Sequence, residues 1–404
     1  MKNLIIKPFK LKGKLEAISS KSYAHRALIL ASLCESPTKI YINKFSKDIE
    51  VTIEALRNLG VLIKKEKTFV SINPSCKKLE NAHIDMYESG SSLRFFTAVS
   101  PHFSKNTLIS GQKRLAQRPN KTLIENLRKN GLEIDNNFLP YRVSGDFKGG
   151  DFKFRKDESS QYISAILLAA SLSGKTFIKL DGKPESLGYI DITIDVLKKF
   201  GVDVVEKENF YEILNPKLES PGEYFVEGDW SNAAFFYGAN LLGSDIDIYN
   251  LDQNSKQKDK EIVNISKKIK LAKKENKGLE IDISQIPDLA PIVSVLLTSL
   301  DKKSAIVNGK RLRDKESDRL KSSAKMLNDL GAKAELIGDS LIVSGKIKGG
   351  SVDSFNDHRI VMAASIAGNI ANGDIIIKDY EAVNKSYPSF FKDLKNLGAS
   401  VREI

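Results

Sequence analysis

Leu56-Arg57-Asn58-Leu59-Gly60-Val61-Leu62-Ile63 reads as the end of a helix, a glycine stop and the start of a strand, with no linker between them. Glycine accepts the left-handed backbone that terminates a helix, so Leu-x-x-x-Gly ahead of a strand is a junction with a mechanism. The junction recurs at Leu127-Arg128-Lys129-Asn130-Gly131, Leu197-Lys198-Lys199-Phe200-Gly201, Leu327-Asn328-Asp329-Leu330-Gly331 and Leu394-Lys395-Asn396-Leu397-Gly398. Successive glycines stand 71, 70, 130 and 67 residues apart. The long interval is close to two periods, which predicts a sixth, degenerate copy in the lysine-rich segment 262–280. The period exceeds that of common solenoids, so each copy reads as a compact α/β unit.

Six such units in 404 residues imply two domains of three units each. The seam is expected near Glu227-Gly228-Asp229, giving one domain of residues 1–19 plus 228–404 and another of residues 20–227. The first strand, in residues 4–10, has the pattern to pair with either half. No long Pro/Gly/Ser linker separates them, so the connections are short.

Composition excludes several classes. A chain 41% hydrophobic and 28% charged is that of a soluble globular protein. The longest apolar runs, such as residues 289–300, are too short to span a bilayer. Lys7 interrupts the only candidate for a secretory core, which points to the cytoplasm. Cys34 and Cys76 lack metal-ligand spacing and no two histidines pair, so no metal site is expected. The net charge of +12 resides largely in lysines at helix ends and turns, such as Lys64-Lys65 and Lys198-Lys199. Without aromatic interleaving or a basic arm, that excess favours small anionic substrates over nucleic acid. A monomer is expected.

The candidate chemistry gathers at helix starts. Arg311-Leu312-Arg313-Asp314-Lys315-Glu316-Ser317-Asp318-Arg319 precedes a run with apolar Leu320, Met326, Leu327 and Leu330. A helix opening there would put Lys315 and Arg319 four apart on one face with Glu316 beside them, an anion site with a proton-transfer group. Lys21, Ser22 and Arg26 stand at the start of an expected helix, as do Gly90 and the serines around it. Arg118-Pro119 lies in a loop before another helix. Ser159 and Ser160, followed by Gln161, suit either a helix cap or a phosphate ligand. Ser186 repeats that design before the next helix. Asp288 precedes an apolar helix as a plain cap or a general base. Arg359, in Asn356-Asp357-His358-Arg359, and Lys385 complete the set.

In consistent order from Lys21 to Lys385, these segments resemble the enolpyruvyl transferases, and within them the branch acting on shikimate 3-phosphate. The most specific pieces are Lys21-Ser22-x-x-x-Arg26, Ser159-Ser160-Gln161, Lys315-Glu316-Ser317-Asp318-Arg319 and Asn356-Asp357-His358-Arg359. The resemblance implies a two-domain inside-out α/β barrel, each domain of three βαβαββ repeats, closing around its substrates. It implies transfer of the enolpyruvyl group of phosphoenolpyruvate to the 5-hydroxyl of shikimate 3-phosphate, in aromatic amino acid biosynthesis, without metal or organic cofactor.

Carried over residue by residue, Lys21, Ser22, Arg26, Ser159, Ser160, Gln161, Ser186, Asp288 and Lys315 resemble ligands of shikimate 3-phosphate. Lys21, Gly90, Arg118, Gln161, Arg319, Arg359 and Lys385 resemble the phosphoenolpyruvate site. Asp288, Glu316 and Lys21 resemble the proton-transfer groups. Departures are Glu88 and Arg311, where other members carry asparagine, and Leu187-Gly188, where some carry Lys-Pro. The competing assignment is the sister branch that uses UDP-N-acetylglucosamine. Its members carry a loop cysteine, a position that neither Cys34 nor Cys76 fills.

Overall fold

The structure, a computed structural model, describes residues 2–74, 77–155, 158–182 and 187–404. The chain divides into two compact units: Ser19–Glu227, and the N-terminal segment through Ile18 joined with Gly228–Ile404. Ser19, expected with the latter, belongs to the former. Its backbone N–H and hydroxyl meet Asn43 Oδ1 at 2.7 and 3.0 Å.

In the unit Ser19–Glu227 the helices are α1 (Lys21–Leu33), α2 (Lys47–Asn58), α3 (Gly90–Val99), α4 (Lys121–Lys129), α5 (Ser160–Ala169) and α6 (Gly188–Lys199). Among the described residues they accompany three four-stranded sheets built to one plan. Leu79–Asp85 runs parallel to Ser104–Ser110, a pairing that needs a crossover, and α3 supplies it. Ser104–Ser110 then pairs antiparallel with Tyr141–Ser144, which pairs antiparallel with Glu133–Ile134. Gly150–Arg155, Thr176–Asp181, Phe210–Ile213 and Val205–Lys207 repeat the order. In the remaining sheet the leading strand, Glu223–Phe225, comes from the far end of the unit to lie parallel to Thr38–Tyr41.

The helices divide by burial. In α1, α3 and α5 nearly every residue is buried, as an apolar helix at the centre of a domain must be. By contrast α2, α4 and α6 bury one face; α4 inserts Leu123, Ile124 and Leu127. These outer helices carry the glycine endings. Gly60, Gly131 and Gly201 have φ of +89°, +95° and +79°. Beyond each, the next N–H reaches back to the repeat leucine: Val61 to Leu56, Leu132 to Leu127 and Val202 to Leu197, at 3.0, 3.2 and 2.9 Å. The bond closes the helix end on its own carbonyl.

The other unit holds α7 (Trp230–Leu241), α8 (Ile262–Lys274), α9 (Ala290–Leu297), α10 (Arg319–Asp329), α11 (His358–Ala367) and α12 (Phe390–Asn396). Here α7, α9 and α11 are buried, and α10 and α12 end at Gly331 and Gly398 with the same back-bonds. The degenerate copy is α8. Asn276 takes the left-handed place at φ +52°, and Lys277 N–H reaches Ala272 O at 2.9 Å. Asparagine is the next-best residue there, so geometry is kept while the Leu-x-x-x-Gly signature is lost.

This copy also lacks its hairpin, a departure from three full βαβαββ repeats. Its sheet is the parallel pair Lys12–Glu16 and Asp245–Tyr249, and Glu280–Asp282 already begins the following sheet. Asn3–Ile6 pairs in this unit, antiparallel to both Ile375–Lys378 and Val401–Glu403. No described helix is long and apolar enough to cross a membrane.

Candidate active site

In the unit containing Gly228–Ile404, α9, α10 and α11 pack on one another and bring their leading residues together. Asp288 lies in the short turn Pro287–Leu289 that enters α9. Its side chain caps no helix, so the bland alternative is not what the residue does. One carboxylate oxygen accepts from Arg319 Nη1 at 2.8 Å and Lys315 Nζ at 3.3 Å, and the other from Arg359 Nη2 at 2.8 Å. Arg319 is fully buried and donates also to Glu316 Oε2 at 2.5 Å and to Asp357 Oδ2 at 2.9 Å. Burial works against its charge, but Asp357, Glu316 and Asp288 outweigh it and raise the guanidinium pKa. For Lys315 burial prevails over the attraction of Asp288 and lowers the ammonium pKa.

The local reading of this cluster needs one correction. Lys315 and Glu316 are not on the helix: a short turn, Lys310–Asp314, comes first and α10 begins at Arg319. Asp318 caps that helix through Lys321 N–H at 3.3 Å, which fixes its start after the charged run. Lys315 and Arg319 still converge, through Asp288 rather than along a helix face. Lys385 joins the cluster from another turn, donating to Asn356 O at 2.7 Å.

The unit Ser19–Glu227 gathers the remaining candidates at the starts of α1, α3 and α5. Lys21 Nζ lies 2.8 Å from Asp48 Oδ2 on α2. Gln161 Nε2 donates to Ser91 Oγ at 3.0 Å, which ties α5 to α3. Arg118 lies against Gly90: a Cβ built there would stand 2.9 Å from Arg118 Cζ and 2.8 Å from Arg94 Nη1. Pro119 O, beside Arg118, accepts from both Arg94 Nη2 at 3.0 Å and Tyr162 OH at 2.7 Å, so the loop is pinned from two helices. Ser159 caps α5 through Gln161 N–H at 3.4 Å, and Ser160 is buried behind it.

Arg26 is tied to α5 and α6 of the same unit. It is buried, and its guanidinium meets Thr193 Oγ1, Ser22 O, Ser164 Oγ and Tyr189 O at 2.7, 2.7, 3.2 and 3.0 Å. Burial lowers its pKa to about 10. Ser22 is half-buried beside Lys21. Ser186 lies outside the described residues, as does Cys76. Cys34 ends α1, donates to Leu30 O at 3.3 Å, and is pushed up to about 12 by burial, which makes it an inert thiol.

Sequence reasoning missed several participants. Asp48 sits in an amphipathic helix and Asp259 in a surface-like run of charges, with no local motif. Asp259 is buried, and burial first, then Asp288, raises its pKa to about 6, with Arg359 opposing. His25 forms a buried chain through Thr52 Oγ1 (2.7 Å) and Ser92 Oγ (2.9 Å) to Ser89 Oγ (2.7 Å) at the head of α3. Its spacing of four from Lys21 on α1 was the available signal.

In each unit, helix starts and the turns before them bring cations beside carboxylates. The structure resembles EPSP synthase from Acinetobacter baumannii, with a TM-score of 0.82 and 23% identity over 100% of both chains. It also resembles the enolpyruvyl transferase NikO from Streptomyces tendae, with a TM-score of 0.77 and 13% identity over 100% of this chain and 98% of that one. At those identities the likeness speaks for the fold.

Sequence comparison is more specific. The EPSP synthase (3-phosphoshikimate 1-carboxyvinyltransferase) family profile matches residues 5–394. The chain is 38% identical over 432 residues to the 3-phosphoshikimate 1-carboxyvinyltransferase of Clostridium novyi (strain NT), covering 100% of this chain and 99% of the relative. It is 39% identical to that of Clostridium botulinum (strain Alaska E43 / Type E3), covering 98% of each. The chain belongs to the EPSP synthase family.

Proposed function

We propose that the chain transfers the enolpyruvyl group of phosphoenolpyruvate to the 5-hydroxyl of shikimate 3-phosphate and releases phosphate, acting as a cytoplasmic monomer. Lys21, Ser22, Arg26, Ser159, Ser160, Gln161, Ser186 and Lys315 bind shikimate 3-phosphate. Gly90, Arg118, Arg319, Arg359 and Lys385 bind phosphoenolpyruvate, with Lys21 and Gln161 touching both. The observation that carries this reading is the cradle around Asp288: three cations within 3.3 Å of one carboxylate, beside the second carboxylate of Glu316.

The reaction needs what that cradle offers. The 5-hydroxyl oxygen attacks the middle carbon of phosphoenolpyruvate while its proton passes to Asp288. A proton is added to the methylene carbon from Glu316, assisted by Lys21, and a tetrahedral phosphoketal results. The bond to the phosphate oxygen then breaks, phosphate departs with the proton held on Asp288, and a methyl proton returns to Glu316 to restore the vinyl ether. Two separate acid–base groups are therefore required. Cations hold two polyanions together, and such alignment supplies roughly 7–11 kcal/mol of a barrier.

Replacing Asp288 by alanine tests the assignment. The expected kcat falls by on the order of 10²-fold or more, the contribution of a positioned general base. A kcat within a few-fold of wild type would sink it.

A further inference from the structure

Every cation proposed above to hold phosphoenolpyruvate from the unit containing Gly228–Ile404 is fastened to four consecutive residues, Asn356-Asp357-His358-Arg359. Lys385 donates to Asn356 O at 2.7 Å. Arg319 donates through Nε to Asp357 Oδ2 at 2.9 Å and through Nη2 to Oδ1 at 3.3 Å. Arg359 is aimed from α11, whose N-terminus Asp357 caps by accepting the Arg359 backbone N–H at 2.9 Å. Ser317 Oγ, next to Glu316, donates to Asp357 Oδ2 at 3.0 Å. Both Asp357 and Arg319 are entirely buried.

The segment leading in is unusual as well. Phe355 and Asn356 have φ of +51° and +53°. Asparagine tolerates that region, but a bulky phenylalanine rarely enters it. The turn is kept by Phe355 N–H donating to Asp353 Oδ1 at 2.6 Å and Asn356 N–H to Ser354 Oγ at 3.1 Å. This backbone turns the Asn356 carbonyl toward Lys385 and delivers Asp357 to the head of α11 at once. Strained backbone persists where surrounding contacts over-determine it.

We infer that Asp357 is a positioning residue for the transfer reaction: it touches neither substrate, and its one carboxylate sets the separation and orientation of Arg319 and Arg359. A buried carboxylate is costly unless each oxygen is satisfied, and here the satisfying groups are the Arg319 guanidinium, the Arg359 backbone N–H and the Ser317 hydroxyl. Its role is thus to hold two guanidinium-bearing elements at one spacing, beyond stabilising either helix. The inference rests on the reading that Arg319 and Arg359 hold phosphoenolpyruvate.

The test is Asp357→Asn in the full chain. The amide keeps an oxygen for the cap but cannot accept from Arg319 and cap α11 with two carboxylate oxygens. The KM for phosphoenolpyruvate should rise on the order of 10- to 100-fold, as loss of a charge-assisted hydrogen bond implies. The dissociation constant of shikimate 3-phosphate should stay within about twofold, a difference of roughly 0.4 kcal/mol. In an Arg319→Lys background, the same substitution should add less than about twofold, because coupled partners are not additive.

A purely structural role predicts the opposite: both substrates weaken together, the thermal midpoint falls in step, and the two substitutions multiply. That result overturns the inference. If Asp357→Asn does not fold, Ser317→Ala removes one donor from the same carboxylate. It should raise only the phosphoenolpyruvate KM, by several-fold, and an unchanged KM again overturns the inference. Arg319→Lys and Arg359→Lys separate the two levels of the argument. If neither alters the phosphoenolpyruvate KM, the underlying reading fails and the inference with it. If both raise it while Asp357→Asn does not, the inference alone fails.

Discussion

Replacing Gly90 by alanine perturbs one contact whose size follows from the structure. The added methyl would stand 2.8 Å from Arg94 Nη1, 2.9 Å from Arg118 Cζ and closer still to Arg118 Nη1. Arg94 cannot yield, because it is buried and its guanidinium is bound to Gly90 O at 3.1 Å and Pro119 O at 3.0 Å. Arg118 must therefore retreat, by roughly 1 Å to reach ordinary contact distance. Moving a unit charge from about 4 to 5 Å from an anion at an effective dielectric of about 20 costs roughly 0.8 kcal/mol.

The larger loss is directional. A charge-assisted hydrogen bond that no longer reaches costs about 1.5–3 kcal/mol. Together these predict a KM for phosphoenolpyruvate raised roughly 50- to 500-fold. The KM for shikimate 3-phosphate should stay within a factor of about two, since alignment elsewhere is kept. Alanine is a better helix former than glycine by about 0.5–1 kcal/mol, so the thermal midpoint should hold. Steady-state phosphate release, varying one substrate at saturating levels of the other, measures both constants. A phosphoenolpyruvate KM within twofold of wild type would refute the reasoning, as would equal effects on both substrates.

Neutral replacements of Lys385 and of Arg359 should each raise the phosphoenolpyruvate KM far more than that of shikimate 3-phosphate. Lys385→Arg should not rescue fully, because a planar fork cannot reproduce a compact ammonium on the Asn356 carbonyl; equal shifts in both constants would contradict the division of labour. Asp259, raised to about 6, is a carboxyl whose folded pKa exceeds its unfolded value, so its contribution to stability is full below about pH 4 and lost as pH rises through about 6. Asp259→Asn should accordingly stabilise the fold at pH 7.5 by about 1–3 kcal/mol, with the gain vanishing near pH 4. Denaturant titrations at the two pH values check this, and a gain independent of pH would count against the burial argument.

Much of the fold was legible because its junctions are chemical. Leu-x-x-x-Gly encodes a left-handed stop and a back-bond, and the five glycine copies make that bond at 2.9–3.2 Å. At Asn276 the same geometry is reached by a different residue, so the pattern became faint where the structure did not change. The missing hairpin after α8 shortens the interval from Asn276 to Gly331 to 55 residues, because the next sheet begins directly at Glu280. In the candidate site, Lys315, Glu316 and Arg319 were visible as a contiguous run, although the helix they were expected to share starts only at Arg319. Asp259 and Asp48 were invisible because tertiary packing, not local sequence, brings them to Arg359 and Lys21. Asp357 lay inside a motif already quoted, but its service to Arg319 needs partners 38 residues apart to meet.

The most direct test follows phosphate release from phosphoenolpyruvate by the wild-type chain with three acceptors in turn: none, UDP-N-acetylglucosamine and shikimate 3-phosphate. Phosphate should appear with shikimate 3-phosphate alone, one equivalent for each enolpyruvyl ether formed on the 5-hydroxyl. Release without an acceptor, release with UDP-N-acetylglucosamine in its place, or none with shikimate 3-phosphate would contradict the account.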